Sequence, residues 1–481
     1  MLLWKKYNGI TAVILIVILY FFFGYFLERT QFNLLLFLWI SLFGCFYWLL
    51  KSNTFSFNTL ALLSILFKLI FLVAIPNLSQ DFYRFIWDGR MIFEGLNPYL
   101  SLPKVFIEQQ KHPVNQAVEL YNGMGIMNGS HYTNYPPINQ LCFLIAAIFA
   151  NKSILGSVLV MRVIIILADI GILYFGKKLL ASLNLPVRNI FLYALNPFII
   201  IEMTGNLHFE PVMLFFLVWS LYKLQQQKWV LAAILFACSV SVKLIPLLFL
   251  PLFFQWFVKK RVHNKSLITW NWFKFYSEKP QKLLYFYLLI LAIILLLFLP
   301  FYSSELISNY FNSVGLWFKS FEFNASFYYI AREIGYLFRG YNEIAIIGKV
   351  MPILTVLFLI GLSFFRNNKS TIQLITAMLF GLSFYYFTST TMHPWYIATL
   401  LILSVFTKYR FPLIWSFIII LSYQAYANLP WKENLWFVGL EYLILYVFLI
   451  WEVSIKKTHL IKSSGKNCYE KECGFTTTSQ I

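Results

Sequence analysis

The 481-residue chain is too apolar to be a soluble domain, because hydrophobic residues make up 60% of it and charged residues only 12%. Soluble domains carry roughly 25% charged residues. The formal net charge of +19 does not indicate nucleic-acid binding, since Lys and Arg lie mainly in short loops and form no basic stripe or recognition module. The composition therefore predicts a polytopic integral membrane protein.

Apolar runs long enough to cross about 30 Å of hydrocarbon recur along the whole chain. They predict an all-α membrane bundle of about 11 to 14 spanning helices. The predicted spans are 9–27, 32–50, 58–75, 154–175, 188–203, 209–224, 229–242, 244–258, 283–301, 344–365, 371–388, 395–407, 411–427 and 434–454. Lys5 and Lys6 precede the first run, but no small-residue cleavage site follows it, so we interpret it as an uncleaved helix.

The distribution of Lys and Arg predicts the orientation of the bundle. Positive charge concentrates near both termini and in loop 259–282. Most acidic residues lie in the loops on the opposite side of the predicted bundle. The positive-inside rule then places both termini in the cytoplasm and the two large loops, 76–135 and 302–343, on the extracytoplasmic side. This is one membrane domain, 1–455, followed by a cytoplasmic tail, 456–481, that we expect to be disordered.

One apolar segment, 137–150, does not fit this scheme as a crossing. Counting it as a span would place Lys177, Lys178 and Arg188 outside. We interpret it as a helix that dips into the outer leaflet or packs on the bundle, where protein must shield any unpaired backbone.

The first large loop begins with an ionisable group at each of several helically spaced positions. Asp81, Arg84 and Asp88 share one face of a predicted helix, and Arg90 follows. Arg84 and Asp88 are as well explained by a structural i,i+4 ion pair as by substrate binding. Asp81 lies at the water–lipid boundary directly after a predicted span, where a carboxylate is placed for proton transfer.

Further candidate side chains fall in other predicted outer segments. Tyr135 precedes two prolines that suit a rigid entry into a helix. His208 and Glu210 lie in a tight turn between two spans, where two converging ionisable groups favour function over a satisfied polar turn. Lys243 either snorkels between apolar runs or neutralises a phosphate. His393 lies in a late outer turn.

Two further ionisable residues are candidates, and the carboxylates around Asp81 bear on metal binding. Arg332 lies in the second large loop, and Asp169, in mid-helix, is more typical of an internal hydrogen-bond partner. No dense cluster of carboxylates with Mg²⁺- or Mn²⁺-binding spacing surrounds Asp81. We therefore expect no metal ligand set and no cofactor, with a divalent-metal site assembled by Asp81, His208 and Glu210 across loops as the alternative.

In order along residues 75–400, these segments resemble the polyprenyl-phosphate-sugar-dependent glycosyltransferases of the GT-C fold. The similarity is greatest to the catalytic subunit of GPI mannosyltransferase I and its bacterial mannosyltransferase relatives. The residues that carry it are Asp81-Phe82-Tyr83, Trp87-Asp88-Gly89-Arg90, Gly95-Leu96-Asn97-Pro98-Tyr99, Tyr135-Pro136-Pro137, Asn196-Pro197, Gly205-Asn206-Leu207-His208-Phe209-Glu210, Lys243-Leu244-Ile245-Pro246 and His393-Pro394-Trp395-Tyr396.

The resemblance implies a catalytic role for Asp81, since an acidic residue of the first outer loop activates the acceptor hydroxyl in that family. It implies transfer of a hexose, with mannose expected, from a polyprenyl-phosphate donor to a glycan or glycolipid hydroxyl, with inversion. The paired-acid motif of the eukaryotic members is absent here, because Gln80 and Phe82 flank Asp81. The extra helices before this loop suggest a bacterial branch and hence a bacterial inner membrane.

A donor with a phosphate leaving group also needs cations and an apolar groove for its lipid. Arg84, Arg90, Lys243 and Arg332 are the candidate cations, and aromatic residues, 20% of the chain, could line the groove. The alternatives are a transporter or flippase of lipid-linked sugars, a ligase or polymerase that moves a whole glycan, and a non-catalytic assembly subunit. A transporter would need polar residues through the bundle midplane, whereas here most ionisable groups cluster outside.

Overall fold

The computed structural model describes residues 2–51, 54–258, 280–319, 321–428 and 430–472. The structure is 76% helical, and none of its described residues forms a β-strand, although an isolated backbone bridge joins Phe323 and Thr391. The helices up to residue 182 are α1 (Leu2–Tyr25), α2 (Phe32–Lys51), α3 (Phe57–Leu69), α4 (Asp81–Phe93), α5 (Pro103–Glu108), α6 (Ala117–Gly129), α7 (Pro137–Ala150) and α8 (Ile154–Ser182).

The middle of the chain contains 3-10 and π-helical segments between its α-helices. It contains a 3-10 helix (Val187–Ile190), α9 (Phe191–Ala194), a π-helix (Ile199–Gly205), α10 (Glu210–Gln225), α11 (Trp229–Val240), a 3-10 helix (Ile245–Phe253) and α12 (Phe254–Val258). Most of the following loop, 259–282, which is predicted to be cytoplasmic, lies outside the described residues.

The last part returns to long α-helices joined by short 3-10 segments. It contains α13 (Pro280–Phe298), Leu299–Phe301, α14 (Leu306–Lys319), α15 (Phe327–Arg339), α16 (Ile344–Phe365), α17 (Thr371–Thr388), Pro394–Tyr396, α18 (Ile397–Val405), α19 (Phe411–Ile418), Ile419–Ala427 and α20 (Leu435–Glu472). Helix α20 continues past residue 455, where the sequence places the end of the membrane domain.

Every predicted span coincides with helical structure, which confirms an all-α polytopic membrane protein. Within the described residues, six helices are long and apolar enough to cross a membrane, or seven if a pair bent by 113° counts as one span. Predicted span 188–203 is divided among three helical segments of four, four and seven residues, and 209–224 corresponds to α10 of the bent pair. The six remaining predicted spans correspond to apolar helices of 10–17 residues. Several of these are short because proline or a 3-10 turn interrupts them, as at Pro246 and Pro251.

The segment 137–150 forms α7, which packs against both α4 and α8. Its inner face carries the fully buried polar side chains of Asn139 and Gln140, while Leu141, Ile148 and Phe149 are exposed. Gln140 donates hydrogen bonds to Asp88 and to Thr133. The helix is thus a packed part of the bundle with one apolar face left open.

Buried charges inside the bundle hold the backbone where helices break. Arg162 of α8 donates to the carbonyl oxygens of Leu72, Thr204 and Gly205 at 2.8–2.9 Å. Such carbonyls would otherwise lack partners in an apolar surrounding. Asp169 lies 3.3 Å from Lys68 and accepts a hydrogen bond from Tyr193, so it is an internal partner, as its mid-helix position predicts.

Candidate active site

The ends of several helices enclose a cavity of about 780 Å³. It brings together residues from the loops predicted to share the extracytoplasmic face: 76–135, the turn before α10, 302–343 and the turn before α18. Its polar and aromatic lining comprises Arg29, Ser79, Gln80, Asp81, Phe85, Asn128, Asn134, Tyr135, His208, Lys243, Phe321, Phe323, Thr355, Tyr385, His393, Trp395, Tyr396, Tyr426 and Trp431. Of the ten predicted site residues, Asp81, Tyr135, His208, Lys243 and His393 lie on this wall.

Asp81 is the first residue of α4, and it is partly open to the cavity. Its Oδ1 accepts a hydrogen bond of 3.3 Å from Nδ2 of Asn128. Burial raises the pKa of Asp81, while the hydrogen bond from Asn128 and the positive charges of Lys243 and Arg29 act in the opposite direction. A carboxylate with a raised pKa is a stronger base than an exposed one, so it suits proton abstraction from a hydroxyl.

Arg84 and Asp88 form the ion pair that their spacing allows, with Nε of Arg84 2.8 Å from Oδ1 of Asp88. Both are buried, and neither lines the cavity. Arg84 also donates to the carbonyl oxygens of Asn128 and His131 at 2.7 and 2.8 Å. It therefore fixes the end of α6 against α4, which sets the position of Asn128 beside Asp81.

Lys243 extends into the cavity from the turn after α11. Its side chain is 17% exposed and forms an ion pair with Glu210, the first residue of α10. Glu210 is buried and lies behind the cavity wall. The backbone beside Lys243 is held by a hydrogen bond from N of Ile138 to the carbonyl of Ser241. The lysine thus reaches the cavity with its charge already balanced.

Three aromatic rings form a stack along another wall of the cavity. Trp395 lies between His208, at 4.0 Å between ring centroids, and His393, at 4.5 Å. Burial, together with the smaller effects of the charges of Lys243 and Arg29, lowers the pKa of His393 to about 3. His393 is therefore neutral near pH 7 and contributes a ring face to the cavity, where a sugar or an isoprenoid could stack.

The other predicted cations lie elsewhere, with protein partners. Arg90 donates to the carbonyl of Asn115 and to the side chain of Gln116. Arg332 is paired with Glu322 at 3.2 Å and with Glu333 at 2.9 Å. Neither arginine lines the cavity.

Arg29, in the short loop between α1 and α2, lines the cavity but is not among the site residues predicted from the sequence. Its guanidinium carbon lies 3.3 Å from the ring centroid of Tyr426, another unpredicted lining residue. One signal could have found it: Arg29 is a cation in a predicted outer loop, against the positive-inside trend. Among the described residues, Arg29 and Lys243 are the only Lys or Arg side chains on the cavity wall.

The described residues contain no group of three or more His, Cys, Asp or Glu side chains that could hold a metal ion. The expectation that catalysis needs no metal stays a prediction, which an assay with a chelator can test.

The fold defines a class of protein: an all-helical polytopic membrane protein, consistent with the GT-C type. Residues 16–259 match the model of a family described as alpha-(1->6)-mannopyranosyltransferase, N-terminal domain. The match spans just over half of the chain, so the protein belongs to this mannosyltransferase family. No curated protein matches the chain.

Membership confirms the predicted resemblance and makes the protein a multi-pass membrane glycosyltransferase that transfers mannose. The matched region includes Arg29, Asp81, Asn128, His208 and Lys243. The cavity wall from α17 onward, including His393, lies outside it.

Proposed function

We propose that the protein transfers a mannosyl residue from a polyprenyl-phosphate donor to a hydroxyl of a glycan or glycolipid, with inversion, at the extracytoplasmic face of a bacterial inner membrane. The observation that carries this proposal is the composition of the cavity wall. One part of it holds Asp81 beside Lys243 and Arg29. Another part is apolar and comes from the 3-10 helix Ile245–Phe253, α14 and α16, which contribute Ile245, Leu247, Leu248, Val314, Pro352 and Val356.

The apolar part includes side chains that are partly exposed. Leu247 and Val356 line the cavity and are 37% and 51% exposed, and Val356 lies in α16, which is long and apolar enough to cross a membrane. A lipid-linked donor could enter from the bilayer by this route, with its isoprenoid against apolar side chains and its phosphate near the cations. A nucleotide sugar would gain nothing from such a surface.

The chemistry would be a single displacement. Asp81 accepts the proton of the acceptor hydroxyl while the hydroxyl oxygen bonds to the anomeric carbon of the mannose. The bond from that carbon to the phosphate oxygen breaks on the opposite face, and polyprenyl phosphate leaves with the bonding electrons. Lys243 stabilises the charge that grows on this leaving group. Inversion means that an α-linked product, which the family description names, requires a β-linked donor.

Purified protein in liposomes tests the donor directly. We expect mannose to pass from polyprenyl-phosphate [14C]mannose to a short α-mannan acceptor, with release of free polyprenyl phosphate. The new linkage should be cleaved by an α-mannosidase. GDP-mannose in the same assay should give no product, and direct transfer from GDP-mannose would overturn the proposal.

Cells lacking the protein test the acceptor and the alternatives. Mass spectrometry should show one glycan or glycolipid that has lost mannose, while lipid-linked mannose accumulates. Loss of a whole glycan block would instead indicate a ligase or polymerase. Lipid-linked mannose retained on the cytoplasmic leaflet would indicate a flippase.

A further inference from the structure

We infer that Arg29 is a substrate-binding residue that holds the phosphate of the lipid donor. This inference rests on the proposed function, because it assigns part of the same cavity to a group of the proposed donor. Arg29 comes from the loop between α1 and α2, a part of the chain far in sequence from Asp81 and Lys243.

The charges around the cavity require a second cation. Lys243 is paired with Glu210, so these two side chains together contribute no net charge. Asp81 must be ionised to accept a proton, and this leaves one more negative charge on the wall. A phosphodiester brings a further negative charge, which increases as the bond to the sugar breaks. Without another cation, the departing phosphate would face a carboxylate and a lysine already neutralised.

Arg29 supplies that cation, because no acid forms a direct ion pair with it among the described residues; its electrostatic interactions with Asp81 and Glu202 act at longer range. No carboxylate among the described residues lies within 4.0 Å of its guanidinium nitrogens, and its Nε is buried without a hydrogen-bond partner there. Of the other arginines considered for this role, Arg84 and Arg332 are already paired with acids. Arg90 donates to Asn115 and Gln116 and does not line the cavity.

The orientation of the side chain suits an anion. The guanidinium lies 3.3 Å from the ring centroid of Tyr426, so the ring covers one face of the group. Donors in the guanidinium plane stay available in such a stack, and two of them can bind two phosphate oxygens. Tyr426 thus restrains the arginine, and Nε of Arg29 keeps an unused donor.

The position of Arg29 is tied to that of Asp81 through the backbone. Nδ2 of Asn77 donates to the carbonyl oxygens of Phe23 and Leu27 at 2.8 and 3.0 Å, which fixes the end of α1 against the segment that enters α4. The loop carrying Arg29 and the first residue of α4 therefore move together. A bound phosphate would be held at a constant distance from the base.

The test compares Arg29→Gln with wild type, using Arg339→Gln as the matched control. Arg339 is an exposed residue of α15 and lies away from the cavity. The probe is a short-chain isoprenyl phosphate, added as an inhibitor of mannosyl transfer, and the corresponding isoprenyl alcohol is the comparison. We expect Arg29→Gln to weaken inhibition by the phosphate at least about tenfold, and to leave inhibition by the alcohol unchanged. Arg339→Gln should change neither.

A second readout does not depend on the folding of a variant. Phenylglyoxal modifies arginine, so the wild-type protein can be treated with it, digested and analysed by mass spectrometry. Isoprenyl phosphate should protect Arg29 from modification, and isoprenyl alcohol should not. Equal modification of Arg29 with and without the phosphate would overturn the inference, as would equal inhibition of wild type and Arg29→Gln.

The two proposals fail in distinguishable ways. If wild-type protein uses GDP-mannose and ignores the lipid donor, the proposed function fails. If wild type uses the lipid donor and Arg29→Gln uses and binds it equally well, the proposed function stands and the assignment of Arg29 alone is wrong.

Discussion

Replacing Asp81 with Asn should abolish most activity and leave the fold intact. Asparagine keeps the size and hydrogen-bonding shape of the side chain, and its carbonyl oxygen can still accept from Asn128. It cannot accept a proton at neutral pH. The substitution therefore separates the role of Asp81 as a base from any role in holding α4.

The structural and the catalytic contribution of Asp81 differ in size. The N-cap of α4 is Gln80 and not Asp81, so the structural contribution of Asp81, apart from its hydrogen bond with Asn128, is a charge in the first turn of the helix, worth about 0.3–1 kcal/mol. Burial raises the pKa of Asp81, which means that the ionised form is disfavoured and that losing the charge removes part of this penalty. A general base contributes about 10²–10⁴-fold in rate, which corresponds to about 2.7–5.4 kcal/mol in the transition state.

The assay is mannosyl transfer from the lipid donor by wild type, Asp81→Asn and a control, Glu94→Gln. Glu94 follows the last residue of the same helix, is exposed and does not line the cavity. We expect Asp81→Asn to lose at least about a hundredfold in kcat and to unfold within about 4 °C of wild type in detergent. Glu94→Gln should match wild type. A well-folded Asp81→Asn protein with more than about a tenth of the wild-type rate would refute the assignment of Asp81 as the base.

Three further outcomes are expected. Asn128→Ala removes a hydrogen bond that favours the ionised form of Asp81, so the pKa of Asp81 should rise. Because activity requires the deprotonated base, the acid limb of the kcat/KM profile should move to higher pH. An unchanged acid limb would contradict this prediction. Activity should survive EDTA, and full loss restored by Mn²⁺ would show that a metal is required. Single cysteines in 76–135 should react with an impermeant reagent added from outside, and cysteines in 259–282 should not; labelling of 259–282 would invert the site model.

The helices and the approximate location of the site could be predicted from local sequence. Runs of apolar residues must form helices in a bilayer, because only an internally hydrogen-bonded backbone is tolerated there. Asp81, Tyr135, His208, Lys243 and His393 stood out as polar or ionisable groups in predicted outer segments, and the fold brings all five to one cavity.

Pairing between distant segments could not be predicted in this way. Arg84, Arg90 and Arg332 looked as suitable for phosphate binding as Lys243 did, since each is a cation in an outer segment. Whether such a cation faces the cavity depends on which acids or carbonyls the fold places beside it. Only the tertiary structure pairs Arg332 with Glu322 and directs the donors of Arg84 to the end of α6.

The clearest contrast is between Asp81 and Arg29. Asp81 could be recognised because it directly follows an apolar run and begins an amphipathic helix, which are properties of a few neighbouring residues. Arg29 has no such local signal beyond its charge, and its place depends on Asn77 holding the end of α1 and on Tyr426, almost four hundred residues away, covering one face. Local hydropathy determines which segments become helices, whereas long-range packing and the need to satisfy buried polar groups decide which charges remain free to meet a substrate.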